Sequence, residues 1–125
     1  MSVANPQSNS SVLYAYLIAN SLFTPRQFSI ISKRLQGSRK AEKISSGAYY
    51  RQVKQCRKKV LSVLYSMILL QSTGVLQLET SATLSRLAEQ LVVIFASEGS
   101  DVTDRMNIND VISVIDEVVK RMSKL

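Results

Sequence analysis

Apolar residues recur every three or four positions along most of the chain, which is the period of an amphipathic α-helix. The first such segment starts at Val12, and we expect a helix capped by Ser11 that ends near Leu22. Residues 1–10 are small and polar and predict a flexible arm. The longest stripe extends over about six helical turns and comprises Tyr49, Val53, Cys56, Val60, Val63, Met67 and Leu70.

The strongest local signal is the start of the second helix. Thr24, Pro25 and Gln27 occupy the N-cap, first and third helical positions of a capping box. Phe23 and Phe28 flank it at the positions of a hydrophobic staple. We therefore expect a helix from Thr24 that stops near Gly37.

The long third helix starts at a cap supplied by Ser45 or Ser46 and ends before Gly74, a glycine suited to the position after a helix. Its second half, from Val60, is apolar on nearly every side, which predicts burial. The following Gly74–Leu78 segment is predicted to be a short extended stretch or a β wing.

Two further helices are expected in the C-terminal part of the chain. One extends from about Ser81 to Ser97, before Gly99, and the other starts at Asn107, with Asp110 at its third position. The predicted fold is all-α, either helix-turn-helix or winged-helix. It has an arm at 1–10, a DNA-binding region at 11–78 and a helical dimerisation region at 79–125.

Charge is sharply divided along the chain. The net charge is +7, yet residues 1–25 carry none. Between Arg26 and Lys59 eleven basic residues oppose one acid, Glu42, which gives a net +10; from Val60 onward five basic residues oppose eight acids, a net −3. A basic segment with so few acids attracts polyphosphate. The main alternative, a solvated face, usually mixes both signs.

The basic segment suits a helix-turn-helix, in which one helix enters the DNA major groove and packs its back on another. Arg51, Gln55 and Lys58 lie at i, i+4 and i+7 on one face of the long helix, and arginine and glutamine side chains make bidentate contacts with guanine and adenine. Tyr49 and Cys56, on the apolar stripe, are predicted to be core residues. The predicted DNA-binding residues are Arg26, Lys33, Arg34, Arg39, Lys40, Lys43, Ser46, Tyr50, Arg51, Lys54, Gln55 and Lys58.

The segment FTPRQFSIISKRLQG resembles the opening helix of LuxR-type and sigma-factor DNA-binding domains, and ISSGAYYRQVKQCRKKV is similar to their recognition helix. The long third helix with a wing after it also resembles small winged-helix proteins of archaea and their plasmids and viruses. The resemblance to helix-turn-helix proteins covers roughly residues 23–60 of the chain. It implies a transcriptional regulator or a DNA segregation protein.

The wide apolar stripes of the C-terminal helices predict a homodimer and leave room for a further protein partner. A two-fold dimer also presents two groove helices one DNA turn apart. The predicted interface residues are Leu91, Phe95, Val111, Ile112, Ile115, Val118, Val119 and Met122.

Other functions fit the residues less well. The chain has no histidine and one cysteine, which excludes most zinc sites, most catalytic triads and any disulfide within the chain. We therefore expect no enzymatic activity, no bound metal or cofactor and no small-molecule substrate. The lack of a disulfide also predicts a cytoplasmic location. The alternatives left open are a membrane-surface protein, an RNA-binding protein and an interaction module. Few aromatic residues disfavour the first two.

Overall fold

The computed structural model describes residues 8–37, 45–97 and 107–125. These residues form five α-helices: α1 (Asn9–Ala19), α2 (Pro25–Leu35), α3 (Ser46–Ser72), α4 (Thr80–Ala96) and α5 (Ile108–Met122). No β-strand is found within the described ranges, so the all-α prediction is confirmed there. Among these helices, none is both long and apolar enough to cross a membrane.

The local capping signals are confirmed at three helix starts. The Thr24 hydroxyl accepts from the Gln27 amide at 3.1 Å, and the Gln27 side chain accepts from the Thr24 amide at 3.0 Å. Ser45 caps α3 by accepting from the amide of Ala48 at 3.1 Å. At α5, the Asn107 side chain accepts from the amide of Asp110 at 3.3 Å.

The start of α1 differs from the prediction. Ser8 caps this helix, since its hydroxyl accepts from the amide of Ser11 at 3.1 Å. The predicted arm at residues 1–10 is therefore too long at its C-terminal end, because Asn9 and Ser10 are helical and Ser10 is buried. Residues 1–7 lie outside the described ranges.

The chain divides into two compact units. We call Leu17–Ile68 the basic unit, and Met1–Tyr16 together with Leu69–Leu125 the C-terminal unit. In the basic unit α2 packs on the first half of α3 through the buried side chains of Ile30, Tyr49 and Cys56. The predicted core positions of Tyr49 and Cys56 are confirmed.

The C-terminal unit buries Leu13 of α1 and Ile115 of α5. The rings of Tyr14 and Phe95 stack with their centroids 4.0 Å apart, which joins α1 to α4. These contacts make the first part of α1 a component of this core.

The segment after α3 is not a wing in the described structure. Gly74 has φ +77°, the left-handed conformation expected of a glycine after a helix. Beyond it, Leu76 forms an isolated antiparallel bridge with Ser123. The amide of Gln77 donates to the carbonyl of Met122, and the amide of Lys124 donates to that of Val75, both at 2.8 Å. The segment therefore pairs with the C-terminus of the chain.

The predicted burial of the second half of α3 is wrong. Leu61, Leu64, Tyr65 and Ile68 are 38%, 55%, 72% and 66% exposed. An apolar run in a helix indicates a surface that is stabilised by burial, but it does not specify which element or partner buries that surface. Within the described chain this face of α3 is largely open.

Candidate nucleic-acid interface

The basic unit holds the candidate interface. Its described residues carry no acid, since Glu42, the one acid between residues 17 and 68, lies outside the described ranges. Eight basic residues lie on α2 and α3, and they are Arg26, Lys33, Arg34, Arg51, Lys54, Arg57, Lys58 and Lys59. This one-sided charge leaves a positive field on the unit. By contrast, the C-terminal unit mixes signs, with Lys120 and Asp116 paired at 2.8 Å.

Helix α3 separates buried from exposed residues around its circumference. Tyr49 and Cys56 are 2% and 3% exposed and face α2. Arg51, Gln55 and Lys58, on the other side of the helix, are exposed. Packing against α2 therefore fixes which side of α3 is turned outward, and that side is the one with the predicted base-contacting residues.

The structure shows the surroundings of several predicted DNA-binding residues on α2 and α3. A Cβ atom on Gly47 would lie 3.6 Å from Nη1 of Arg51, so the Arg51 side chain folds back over the first turn of α3. Lys33 donates from Nζ to the Ser29 hydroxyl at 2.9 Å. Arg26, Arg34, Ser46, Tyr50 and Lys54 are exposed.

A groove of about 300 Å³ between α2 and α3 is lined by both Arg34 and Arg57. Its apolar lining includes Ile31, Val53 and Val60. Arg57 was not among the predicted contact residues, although it is one of the eleven basic residues between Arg26 and Lys59. It lines the same groove as Arg34 and adds a second guanidinium from a different helix.

Lys59 has a structural position that sequence reasoning missed. Its Nζ donates to the carbonyl of Leu22 at 2.7 Å and to Oε1 of Gln27 at 2.8 Å, and it lies 5.9 Å from the centre of the Phe23 ring. The Phe23 and Phe28 rings pack edge to face at 6.4 Å, which confirms the staple. Lys59 thus ties α3 to the start of α2. No local sequence signal reports a contact spanning more than thirty residues.

Cys56 is a core residue of this unit. Burial raises the pKa of its thiol, and the charge of Lys59 opposes that rise. Its Sγ donates to the carbonyl of Gln27 at 3.6 Å. Within the described parts of the chain, no group of three or more acids or cysteines is placed to hold a metal ion.

Other predicted residues lie apart from this surface or outside the described ranges. Arg39, Lys40 and Lys43 fall within 38–44, which the structure does not describe. Among the predicted dimer-interface residues, Ile115 is buried within the chain, at 4% exposed. Phe95 contacts Tyr14 within the same unit, while Val119 is 51% exposed. Leu91, Val111, Ile112, Val118 and Met122 are half-buried.

Leu91, Val111 and Ile115 line a groove of about 270 Å³ between α4 and α5. Residues of both apolar stripes therefore face this groove.

Comparison with known proteins gives no relatives: no family model, curated protein or solved structure matches the chain.

Proposed function

We propose that the basic unit binds double-stranded DNA, with the first half of α3 in the major groove and α2 against the phosphate backbone, and that the protein acts as a dimer in transcription regulation or DNA segregation. One observation carries the proposal. The side of α3 opposite its buried stripe presents Arg51, Gln55 and Lys58, and no described residue of the unit is acidic.

The chemistry of these side chains favours a nucleic acid. Lysine and arginine neutralise phosphates, and this term supplies most of the affinity for any sequence. Arginine and glutamine on one helical face add hydrogen bonds to base edges. An α-helix with such a face fits the width of the major groove of B-form DNA. The deep, narrow major groove of RNA does not admit it.

Binding to duplex DNA, duplex RNA and anionic vesicles at two salt concentrations tests the proposal. We expect duplex DNA to bind most tightly and the affinity to fall steeply with salt. Stronger binding to vesicles or to RNA would refute the assignment to DNA and favour that ligand.

Substitutions separate base contacts from phosphate contacts. Arg51→Ala and Gln55→Ala should each lose roughly 1–3 kcal/mol of discrimination between a preferred and an unrelated duplex. Lys33→Ala should weaken binding to both duplexes equally. Arg86→Ala on α4 removes the same charge from the C-terminal unit and is the matched control for Arg51→Ala. Equal effects of these two arginine substitutions would contradict the placement of α3 in the groove.

A further inference from the structure

The exposed apolar face of α3 carries none of the side chains predicted to contact DNA. Val60 and Leu61 are 40% and 38% exposed, and Leu64, Tyr65 and Ile68 are exposed by more than half. At 3.6 residues per turn these five side chains fall on one side of the helix, over about 140° of its circumference. They form what we call the α3 apolar face.

The α3 apolar face has the size of one half of a dimer contact. Five such side chains at these exposures present on the order of 500 Å² of apolar surface, near the upper end of the largest patches on monomers. Two copies placed face to face would bury about 1,000 Å², which reaches the lower bound for a specific interface.

The charge pattern favours a second copy of this chain over a charged partner. Residues 60–78 contain no charged side chain, so the same surface meets itself without repulsion. All the basic side chains of α3 precede this stretch. An antiparallel crossing of two α3 helices sends their basic halves in opposite directions, whereas a parallel crossing sets them side by side.

We propose that two copies of this protein pair through the α3 apolar face, with their α3 helices crossing antiparallel near Leu64 and Tyr65. The pairing leaves the predicted base contacts accessible. Arg51 and Gln55 lie about a quarter turn or more around the helix from the centre of the α3 apolar face.

The antiparallel crossing also sets the distance between the two basic faces. The residues between Arg51 and Lys58 are centred ten positions before the crossing point. At 1.5 Å per residue the two faces are therefore about 30 Å apart. One turn of DNA is roughly 34 Å, so both faces can reach successive major grooves on one side of the duplex. This consequence for spacing rests on the proposed DNA binding, whereas the pairing itself does not.

Sedimentation equilibrium at micromolar concentration of the full chain tests the pairing. We expect twice the mass of 13.9 kDa for the native protein and a single-chain mass for Leu64→Glu. Because Leu64 is 55% exposed, this variant should keep its helical circular dichroism. Val93→Glu, at an exposed valine of α4, is the matched control and should remain dimeric. A native monomer, a dimer that Leu64→Glu leaves intact, or a dimer that Val93→Glu breaks as well would overturn the proposal.

Cysteine cross-linking tests the orientation, since Cys56 is the single native cysteine and is buried. In an antiparallel crossing Leu64→Cys should form a disulfide with its own copy across the two-fold axis. Ile68→Cys should not, because a disulfide needs Cα atoms roughly 4.4–6.8 Å apart. Efficient cross-linking by Ile68→Cys would overturn the antiparallel arrangement.

DNA binding separates a failure of the pairing from a failure of the proposed function. If both hold, Leu64→Glu should lower the affinity for a long duplex at least tenfold, since the second contact becomes intermolecular. A dimer of the expected mass that binds no DNA would leave the pairing intact and refute the proposed function. Unchanged DNA affinity in a monomeric Leu64→Glu would refute the coupling of the two basic faces.

Discussion

Gln27 joins the start of α2 to the middle of α3, and its removal should destabilise the basic unit. Its Oε1 accepts from the amide of Thr24 at 3.0 Å and from Nζ of Lys59 at 2.8 Å. Gln27→Ala removes this shared acceptor. The amide of residue 27 still donates to the Thr24 hydroxyl, so half of the capping box remains.

The expected cost follows from these two contacts. The neutral hydrogen bond from the Thr24 amide contributes about 1 kcal/mol. The hydrogen bond from Lys59 has a charged donor, and such bonds usually contribute more than neutral ones. This bond is only partly buried, however, and Lys59 still donates to the Leu22 carbonyl after the substitution. We therefore assign about 1 kcal/mol to this bond as well. We expect Gln27→Ala to lower the free energy of unfolding by about 2 kcal/mol.

Urea denaturation followed by far-ultraviolet circular dichroism measures this loss. Gln27→Glu is the matched control, because a carboxylate keeps the acceptor and places a negative charge at a helix start, where it is favourable. In a Lys59→Met background the cost of Gln27→Ala should fall to about 1 kcal/mol. A cost below about 0.5 kcal/mol in the native background, or no coupling to Lys59, would refute this account of Gln27.

Three further outcomes are expected. Gly47→Ala should stabilise the protein by about 0.5 kcal/mol, since the added methyl makes only ordinary contact with Arg51; a loss of stability in urea would contradict this. Cys56 should react slowly with iodoacetamide in the folded protein and quickly in urea, because it is 3% exposed and its raised pKa disfavours the thiolate; equal rates would show an accessible thiol. Phe95→Ala should cost roughly 2 kcal/mol through loss of the stack on Tyr14, and an unchanged urea midpoint would show that the contact is unimportant.

The helices were predictable from sequence because their signals are local. The box at Thr24, the cap at Asn107 and Gly74 after α3 each involve residues within a few positions of one another. Their hydrogen bonds form whenever the helix forms, whatever the rest of the chain does. The core positions of Tyr49 and Cys56 followed from the same periodicity, which requires only that the stripe packs on something.

The contacts between elements that are distant in sequence were not predictable in the same way. Val75–Gln77 pairs with the segment that follows α5, and no nearby residue announces a partner so distant in sequence. The helical spacing of Ile115 fits an interface residue and a core residue equally, and only the folded structure shows that this side chain is buried. Lys59 shows the same limit for charge: the sequence places it in the basic segment, but no local pattern indicates that its Nζ donates to Leu22 and Gln27.

The side of α3 that forms the candidate interface was predictable, but the contacts between α2 and α3 were not. Helical spacing places Arg51, Gln55 and Lys58 on one side of α3, and the burial of Tyr49 turns that side outward. That Arg34 and Arg57 line one groove depends on how α2 crosses α3, which sequence periodicity does not indicate.

The salt dependence of binding to duplex DNA tests the central claim most directly. Of the eight described basic residues of the basic unit, Lys59 is engaged in holding α2, which leaves seven as candidate phosphate contacts. If four to six of them do so, the logarithm of the association constant should fall with the logarithm of the salt concentration with a slope of roughly −4 to −5 per protein chain. A slope near zero, or binding that persists unchanged in high salt, would contradict the claim that this surface binds the phosphate backbone.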